Sequence, residues 1–212
     1  MSHLVLIRHG ESALNVVNRQ VRLFCGQTET PLTERGREQA RNVGKQLAAW
    51  QGLTFTTAIS SALGRASETL DLLLRELPYV VHRLPDSPGL NERSLGAFDG
   101  CRAPDVYAVY PQYCDDPAFN QFDNHFAQKA PGGENLREVT ERAWPIIAEL
   151  NRTYGGDVLV VSHYTTIRCI LGRALALSEE SVRRLRVPNA VPIVLQRGDH
   201  YWLVEGVELA DG

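Results

Sequence analysis

The tripeptide Arg8-His9-Gly10 follows directly on a short apolar run, residues 3–7. An apolar run of this length is typical of a buried parallel strand, and glycine lets the backbone turn sharply close to a ligand. Ligands of open α/β sheets collect at the carboxyl ends of the strands. An imidazole beside a guanidinium at such an edge is suited to nucleophilic attack on a phosphate, although the tripeptide alone is equally compatible with an ordinary loop.

Three further side chains, distant in sequence, are expected at the same edge of the sheet. Arg65 stands in the first turn of a predicted helix, Glu92 follows a break rich in proline and glycine, and His163 ends an apolar run. Guanidinium groups match the phosphoryl oxygens on which charge spreads during transfer, and the start of a helix favours an anion. Glu92 would protonate the leaving alkoxide, for which it must carry a proton near neutral pH. A surface ion pair with Arg93 is its alternative role.

The spacing of apolar residues predicts strands that alternate with helices. The predicted strands cover residues 3–7, 56–59, 79–84 and 157–162, with a hairpin of 190–196 and 201–204 across Arg197-Gly198-Asp199. The predicted helices follow the cap residue Thr33, cover 64–76, 134–154 and 165–176, and include shorter ones near 104–110 and after Ser178. Residues 11–31 are predicted to be irregular, and Pro145 predicts a kink or break in the long helix. This order predicts an α/β fold with a doubly wound, mostly parallel sheet, helices on both faces and one antiparallel edge strand.

Length and composition indicate a single domain, residues 1–212. The chain is 43% hydrophobic, which is normal for a packed globular protein. The segment 93–131 lacks a long periodic element, and we interpret it as an inserted cap or lid. No apolar run approaches the roughly 18–20 residues that cross a bilayer, and the N-terminus lacks the pattern of a secretory signal. We therefore expect a cytoplasmic protein without a membrane partner.

Charge and cysteine content argue against several other classes of protein. The net charge of −3 gives no reason to expect a nucleic-acid partner, although a local basic pocket is compatible with it. The four cysteines form no C-x-x-C pair, and the histidines outside the predicted site show no ligand spacing. The sequence thus predicts neither a structural metal site nor a disulfide framework.

Six segments, spread over nearly the whole chain, occur in the order of a known family. They are Arg8-His9-Gly10-Glu11-Ser12 with Asn15, Pro31-Leu32-Thr33-Glu34-Arg35-Gly36, Ser61-Ala62-Leu63-Gly64-Arg65-Ala66 with Thr69, Leu90-Asn91-Glu92-Arg93 with Gly96 and Gly100, Pro131-Gly132-Gly133-Glu134, and Val160-Val161-Ser162-His163 with Ile167-Arg168. Each segment is a weak signal alone, but all six in order make a chance match improbable. The chain resembles the histidine phosphatase superfamily, in the branch of cofactor-dependent phosphoglycerate mutase and its phosphatase relatives.

This resemblance implies a phosphoglycerate-mutase-like fold and a phosphohistidine on His9. Arg8, Arg65 and His163 would hold the phosphoryl group, and Glu92 would act as an acid and then as a base. In the phosphatases water attacks the phosphohistidine, and no metal or organic cofactor is expected. The mutases are instead primed by a bisphosphoglycerate, and their intermediate takes the phosphate back.

Further positions around the predicted phosphate site follow or depart from the family pattern. Asn15 would be a supporting phosphate contact. Tyr164 replaces the glycine that usually follows the second histidine, although its backbone N–H would still face the phosphate. Cys25 replaces the usual threonine before Gly26, in a loop longer than that of the mutases. Arg22 in this loop is a candidate for binding a second anionic group.

The cap favours a phosphatase over a mutase. It lacks the adjacent arginine pair by which mutases grip phosphoglycerate, and Ala103 lies near the position of their cap lysine. Arg102 is a candidate substitute for that lysine. The cap is rich in aromatic residues, which we interpret as anchors of the lid to the core, with contact to an organic part of the substrate as the alternative.

These observations predict a metal-independent phosphomonoesterase that acts on a small phosphorylated metabolite. A phosphoglycerate mutase of the same family is the first alternative, and a catalytically idle protein that binds a phosphorylated ligand is the second. A pure binder has no need of a general acid, so the presence of Glu92 argues against the second alternative. The physiological substrate is not identified by the sequence. A homodimer is possible, but the sequence contains no apolar stripe that requires one.

Overall fold

A six-stranded sheet forms the centre of the computed structural model, which describes residues 2–198 and 200–207. The strands are β1 (Ser2–Arg8), β2 (Phe55–Ser60), β3 (His82–Arg83), β4 (Asp157–Ser162), β5 (Pro192–Arg197) and β6 (Trp202–Glu205). Their order across the sheet is β3-β2-β4-β1-β5-β6. The first four pair in parallel, whereas β5 pairs antiparallel with β1 and β6 antiparallel with β5. The predicted mostly parallel sheet with an antiparallel edge is confirmed.

Helices follow most of the strands, as expected for a doubly wound fold. They are α1 (Ala13–Val17), α2 (Glu34–Ala49), α3 (Gly64–Leu74), α4 (Ala103–Val109), α5 (Gln112–Asp115), α6 (Leu136–Thr153), α7 (Tyr164–Ala174) and α8 (Glu179–Arg184). In the described part of the chain, no helix combines the length and apolar character needed to cross a bilayer.

Alternating residues of the sheet build two separate apolar cores. Leu4 and Leu6 of β1 point into the core that contains residues of α6 and α7, whereas Val5 and Ile7 point into the core that contains residues of α2 and α3. Successive side chains of a strand face opposite sides of a sheet, so a continuous apolar run is buried on both faces. The predicted helices on both faces are therefore present.

Local capping explains where the helices begin. The Thr33 hydroxyl accepts a hydrogen bond from the Gly36 N–H at 3.0 Å, as the sequence predicts for the start of α2. The Asn135 side chain caps α6 in the same way. The predicted break at Pro145 does not occur, and α6 continues to Thr153. Its buried apolar residues pack against α7 and the sheet on both sides of Pro145, which outweighs the loss of one hydrogen bond.

Two other segments differ from the sequence prediction. The predicted strand 79–84 shrinks to two paired residues, since it lies at the edge of the sheet and Val80 is 97% exposed. Residues 11–31 contain the short helix α1, which a reciprocal pair of hydrogen bonds between Ser12 and Asn15 initiates. The predicted hairpin forms, but Asp199 of its turn lies outside the described residues.

The segment interpreted as a cap, residues 93–131, has an aromatic core of its own. The rings of Phe98, Tyr113 and Phe122 pack edge to face with centroids 5.0–5.5 Å apart, and Phe24 packs against them from the loop after α1. Such aromatic pairs bury a large apolar area in fixed geometry. This packing supports the interpretation that the cap aromatics anchor the lid.

Candidate functional site

The strands β1 and β4 end side by side and bring the two histidines together. Arg8 pairs with Ser162 in the parallel register, and the His9 N–H donates to the Ser162 carbonyl at 3.0 Å. The rings of His9 and His163 consequently lie 5.0 Å apart between centroids. β2 ends beside β4 and leads into α3, which carries Arg65 in its first turn. The segments that carry His9, Arg65 and His163 therefore converge at one edge of the sheet.

A cavity of about 370 Å³ opens at this edge of the sheet. Eight of the predicted site residues line it, namely Arg8, His9, Asn15, Arg22, Gly26, Arg65, Glu92 and Tyr164. His163 is fully buried and does not line the cavity, but its ring packs against that of His9. Arg102 lies outside the cavity.

The hydrogen bonds of His9 determine which ring nitrogen is free to react. Nδ1 lies 2.7 Å from the Gly10 carbonyl oxygen. A carbonyl only accepts, so Nδ1 must carry the proton, and the neutral ring then has its lone pair on Nε2. The Arg65 Nε–H donates to this Nε2 at 3.3 Å, in agreement with that assignment. Nε2 is therefore the ring nitrogen that carries the lone pair, and it faces the guanidinium of Arg65.

The surroundings of His9 keep its imidazole neutral. Burial lowers the pKa of His9 well below its ordinary value of 6.5, and the positive charges of Arg8 and Arg65 lower it further. Only a neutral imidazole has a lone pair for attack on phosphorus. His9 is thus in its reactive form at neutral pH.

Backbone carbonyl groups hold the guanidinium groups of Arg8 and Arg65 in place. Arg65 donates to the carbonyl oxygens of Thr28 at 2.9 Å and Gly26 at 3.1 Å, and Arg8 donates to that of Val187 at 3.0 Å. Burial lowers the pKa of both guanidinium groups, and the negative charge of a nearby carboxylate opposes this shift. An arginine nevertheless stays charged in proteins. The site therefore offers two fixed positive charges to an anion.

Ser61 orients the second histidine, a role that the sequence analysis does not assign. The Ser61 hydroxyl lies 2.6 Å from Nε2 of His163 and accepts a hydrogen bond from the Leu63 N–H at 3.3 Å. Burial lowers the pKa of His163 well below 6.5, so its ring is neutral. If the hydroxyl donates to Nε2, Nδ1 carries the proton, and Nδ1 has no hydrogen-bond partner among the described residues. His163 is thus held by Ser61 and packs its neutral ring against that of His9.

The two histidines make the stability of the protein depend on pH. Their pKa values are lowered in the folded state, so the unfolded chain binds more protons below about pH 6.5. Their contribution to stability is complete above that pH and is lost as the pH falls. Each histidine is expected to lower the free energy of unfolding by up to about 1.4 kcal/mol per pH unit.

A variant isolates this contribution. His163→Gln removes one of the two titrations and is expected to flatten the pH dependence between about pH 6.5 and pH 5. Denaturant unfolding at steps of pH measures the slope in both proteins. A slope in His163→Gln as steep as that of the unmodified protein would contradict a neutral, buried His163.

Backbone N–H groups and side chains hold Glu92 in place, with its side chain beside the first turn of α7. Its carboxylate accepts hydrogen bonds from the Arg93 N–H at 2.8 Å and the Thr165 N–H at 3.2 Å. Its own carbonyl accepts from Gln27 at 2.9 Å and from Arg142 at 3.1 Å. The carboxyl group is therefore fixed in the wall of the cavity. It does not form the surface ion pair that is the alternative to a role in proton transfer.

Tyr164 forms part of the cavity wall and supports the arginine that precedes His9. Its hydroxyl donates to the Leu185 carbonyl at 3.0 Å, which turns the side chain toward α8. The guanidinium of Arg8 lies 5.1 Å from the ring centroid and that of Arg168 lies 5.0 Å from it. Such cation–π contacts stabilise a buried guanidinium. The tyrosine thus supports the position of Arg8.

The loop before α2 contains two of the predicted contact residues, Arg22 and Gly26, together with Cys25. Gly26 has φ +44°, and a Cβ there would collide with the Asp99 carboxylate, so this position requires glycine. Cys25 lines the cavity, and burial raises the pKa of its thiol, which disfavours the reactive thiolate. Arg22 forms an ion pair with Asp123 and so connects this loop to the cap.

The structure does not place Arg102 where the sequence analysis positions it. Its guanidinium lies 3.8 Å from the Asp105 carboxylate at the start of α4, and more than half of its side chain is exposed. The backbone of residue 102 bridges to Leu23, and Arg102 is not among the residues that line the cavity.

Two buried arginines line the cavity although the sequence analysis gives them no role. Arg93 donates to the carbonyl oxygens of Phe122 at 2.8 Å and Asp123 at 2.7 Å, and Arg168 donates to the Asn124 side chain at 2.7 Å. Both therefore join the cap to the rest of the site. Their positions beside the predicted acid and in the helix after the second histidine were the available signal, but sequence does not reveal their burial.

Sequence comparison finds a family model and named relatives for this chain. The model of the histidine phosphatase superfamily (branch 1) matches residues 4–209. The chain is 33% identical over 201 residues to 2,3-bisphosphoglycerate-dependent phosphoglycerate mutase 2 of Gloeobacter violaceus, which covers 92% of this chain and 86% of the relative. It is also 33% identical over 199 residues to the 2,3-bisphosphoglycerate-dependent phosphoglycerate mutase of Parvibaculum lavamentivorans, with 92% and 90% covered.

Solved structures with the same fold include phosphatases. The alpha-ribazole phosphatase of Shigella flexneri has a TM-score of 0.76 and 29% sequence identity, covering 95% of this chain and 94% of that one. A mycobacterial glucosyl-3-phosphoglycerate phosphatase, solved in complex with VO3, has a TM-score of 0.79 and 26% identity over 100% of both chains. By name, these sequence relatives are mutases and these structural neighbours are phosphatases.

Proposed function

Because this chain belongs to the histidine phosphatase superfamily, we propose that it is a metal-independent phosphomonoesterase that hydrolyses a small phosphorylated metabolite. The observation that carries this proposal is the neutral His9, whose unprotonated Nε2 lies beside the guanidinium of Arg65 at the cavity. A nucleophile next to fixed positive charge is the arrangement that phosphoryl transfer requires.

The first half of the reaction forms a phosphohistidine. Nε2 of His9 attacks phosphorus, and the bond between phosphorus and the leaving oxygen breaks. Glu92 donates its proton to that oxygen, so an alcohol leaves and Glu92 becomes a carboxylate. Arg8 and Arg65 balance the charge on the phosphoryl oxygens, and the neutral ring of His163 packs against that of the attacking His9.

The second half returns the site to its starting state. The Glu92 carboxylate takes a proton from water while the water oxygen attacks phosphorus. The bond between phosphorus and Nε2 of His9 then breaks, and inorganic phosphate leaves. Glu92 is again protonated and His9 is again neutral, so each turnover consumes one water and one phosphate ester.

The cap supports hydrolysis rather than mutase activity. The mutase pattern has an adjacent arginine pair in the cap, which this chain lacks, and Arg102 does not line the cavity. The cavity arginines Arg93 and Arg168 are instead held by groups of the cap segment 122–124. The cap thus offers few free cationic groups for the carboxylate of a phosphoglycerate.

A panel of phosphate esters tests the proposed activity. It includes an aryl phosphate, 3-phosphoglycerate, glucosyl-3-phosphoglycerate and alpha-ribazole 5′-phosphate. The last two are the esters for which structural neighbours are named. We expect release of inorganic phosphate from at least the aryl phosphate, and no stimulation by 2,3-bisphosphoglycerate. Conversion of 3-phosphoglycerate to 2-phosphoglycerate that depends on the bisphosphoglycerate would instead establish the mutase.

A protein that only binds a phosphorylated ligand is a further alternative. Vanadate takes a five-coordinate form that resembles phosphorus during transfer, and catalysts bind such analogues more tightly than the substrate. We expect vanadate to inhibit turnover at concentrations below those of phosphate. Binding of phosphate without turnover of any ester in the panel would favour the idle binder.

A further inference from the structure

A segment outside the six family-like segments lies against the phosphate site. Residues 187–190, just before β5, run beside the end of β1, where Asn189 bridges to Arg8 in parallel. The Ala190 N–H donates to the Arg8 carbonyl at 2.9 Å, and the Arg8 guanidinium donates to the Val187 carbonyl at 3.0 Å. This segment therefore fixes both the backbone and the side chain of a phosphate-binding residue.

The side chain of Asn189 reaches two more residues of the site. Its Nδ2 donates to the His9 carbonyl at 2.8 Å and to Oδ1 of Asn15 at 3.3 Å. A backbone carbonyl only accepts hydrogen bonds, so the nitrogen of the Asn189 amide must face it. With the orientation of Asn189 settled in this way, its partner on Asn15 must be the oxygen.

The amide of Asn15 is thereby oriented as well. Its Oδ1 accepts from the Ser12 N–H at 3.1 Å in addition to Asn189, so the oxygen has a donor for each lone pair. The remaining hydrogen-bonding group of this cavity-lining residue is its NH₂. Phosphoryl oxygens only accept, so Asn15 contacts a phosphate productively only in this orientation.

The backbone around Asn189 is held in an unfavourable conformation. Ala190 has φ +51°, in the left-handed region that residues with a Cβ seldom adopt. Such strain persists where the surrounding contacts require it, and it concentrates at functional sites. At Ala190, the contacts of residues 187–190 with Arg8, His9 and Asn15 hold the backbone in this conformation.

We propose that Asn189 is a positioning residue that holds the Asn15 amide with its NH₂ toward the phosphoryl group. This proposal rests on the proposed phosphatase function. Among the described residues, loss of Asn189 leaves the Ser12 N–H as the one donor to Oδ1 of Asn15, so the amide is held less firmly in this orientation. An amide oxygen turned toward the phosphate would repel it. Asn189 itself does not touch the substrate.

A double-mutant cycle tests this assignment, because coupled residues give non-additive effects. Asn189→Ala is expected to lower kcat/KM for an aryl phosphate by about 10- to 100-fold, and by less than about 3-fold when Asn15 is already alanine. The near-isosteric Asn189→Asp keeps the shape but cannot donate, and it is expected to lose at least as much activity. Asn151→Ala, which removes a hydrogen bond to Arg197 in another part of the fold, is the matched control.

The same cycle is measured on the dissociation constant of inorganic phosphate, which needs no turnover. Non-additive losses in this constant support the assignment of Asn189 even if the wild type hydrolyses no ester, and that result would overturn only the proposed function. The role of Asn189 would be overturned if the fold-loss of the double mutant equalled the product of the fold-losses of the two single mutants. It would also be overturned if Asn189→Asp were as active as the wild type. A loss in Asn189→Ala no greater than in Asn151→Ala would do so as well.

Discussion

Replacing His9 by alanine is expected to lower kcat/KM for an aryl phosphate by about 10⁴-fold or more, because removal of a nucleophile abolishes the covalent route. Nε2 of His9 is the neutral, unprotonated nitrogen of the site and lies beside Arg65. Cys25 also lines the cavity, but burial raises the pKa of its thiol and so disfavours the nucleophilic thiolate. The loss is therefore expected in kcat rather than in KM.

Steady-state kinetics with a chromogenic ester measure this loss. His82→Ala is the matched control, because His82 is exposed on the edge strand β3 and lies outside the cavity. Circular dichroism and the binding of inorganic phosphate show whether His9→Ala is folded. A folded His9→Ala variant that hydrolyses the ester within about 10-fold of the wild-type rate would contradict covalent catalysis by His9.

The second large effect is expected at Glu92 and depends on the leaving group. Glu92→Gln keeps an oxygen that accepts from the Thr165 N–H but cannot transfer a proton. We expect hydrolysis of alkyl phosphates to slow by roughly 10²–10⁴-fold, as is typical when a general acid is lost. Aryl phosphates should slow much less, because a phenolate leaves readily without a proton.

A series of esters with leaving groups of graded acidity measures this dependence. The rate of Glu92→Gln should fall more steeply with leaving-group basicity than the rate of the wild type. Glu68→Gln serves as a control, since Glu68 pairs with Arg37 at 2.6 Å on the outer surface of α2 and α3. Equal slowing for alkyl and aryl esters would argue that Glu92 positions groups rather than transferring a proton.

The sheet and its functional edge were predictable from the sequence because both depend on local patterns. The apolar runs before Arg8 and His163 are buried on both faces, and such runs indicate parallel strands. The carboxyl ends of neighbouring parallel strands meet at one edge. The convergence of His9, His163 and Arg65 followed from these patterns together with the order of the family segments.

The orientation of the site groups was not predictable, because it depends on contacts between residues far apart in the chain. Ser61 contacts His163, and Asn189 contacts His9 and Asn15. Each of these pairs is separated by more than a hundred residues, and no local motif marks Asn189. The protonated nitrogen of a histidine and the rotation of an amide are consequences of such contacts.

The cap was the least predictable part for a related reason. Composition revealed its aromatic residues, but only packing shows that Tyr113 and Phe122 turn into a core with Phe98. Likewise, the position of Arg102 in sequence suggested a substrate contact, whereas its side chain pairs with Asp105. Which side chains of a short irregular segment are buried depends on the packing of the whole fold.

The central claim is that a phosphohistidine forms on His9. Its most direct test uses an aryl ester with radiolabelled phosphate as the substrate and stops the turnover rapidly without acid. Phosphohistidine survives base but not acid, so denaturation in base preserves it. The account predicts stoichiometric label on the protein in the first turnover, located on the His9 peptide by mass spectrometry and absent in His9→Ala. Label on a different residue, or product release in the first turnover without any labelled protein, would contradict the phosphohistidine mechanism.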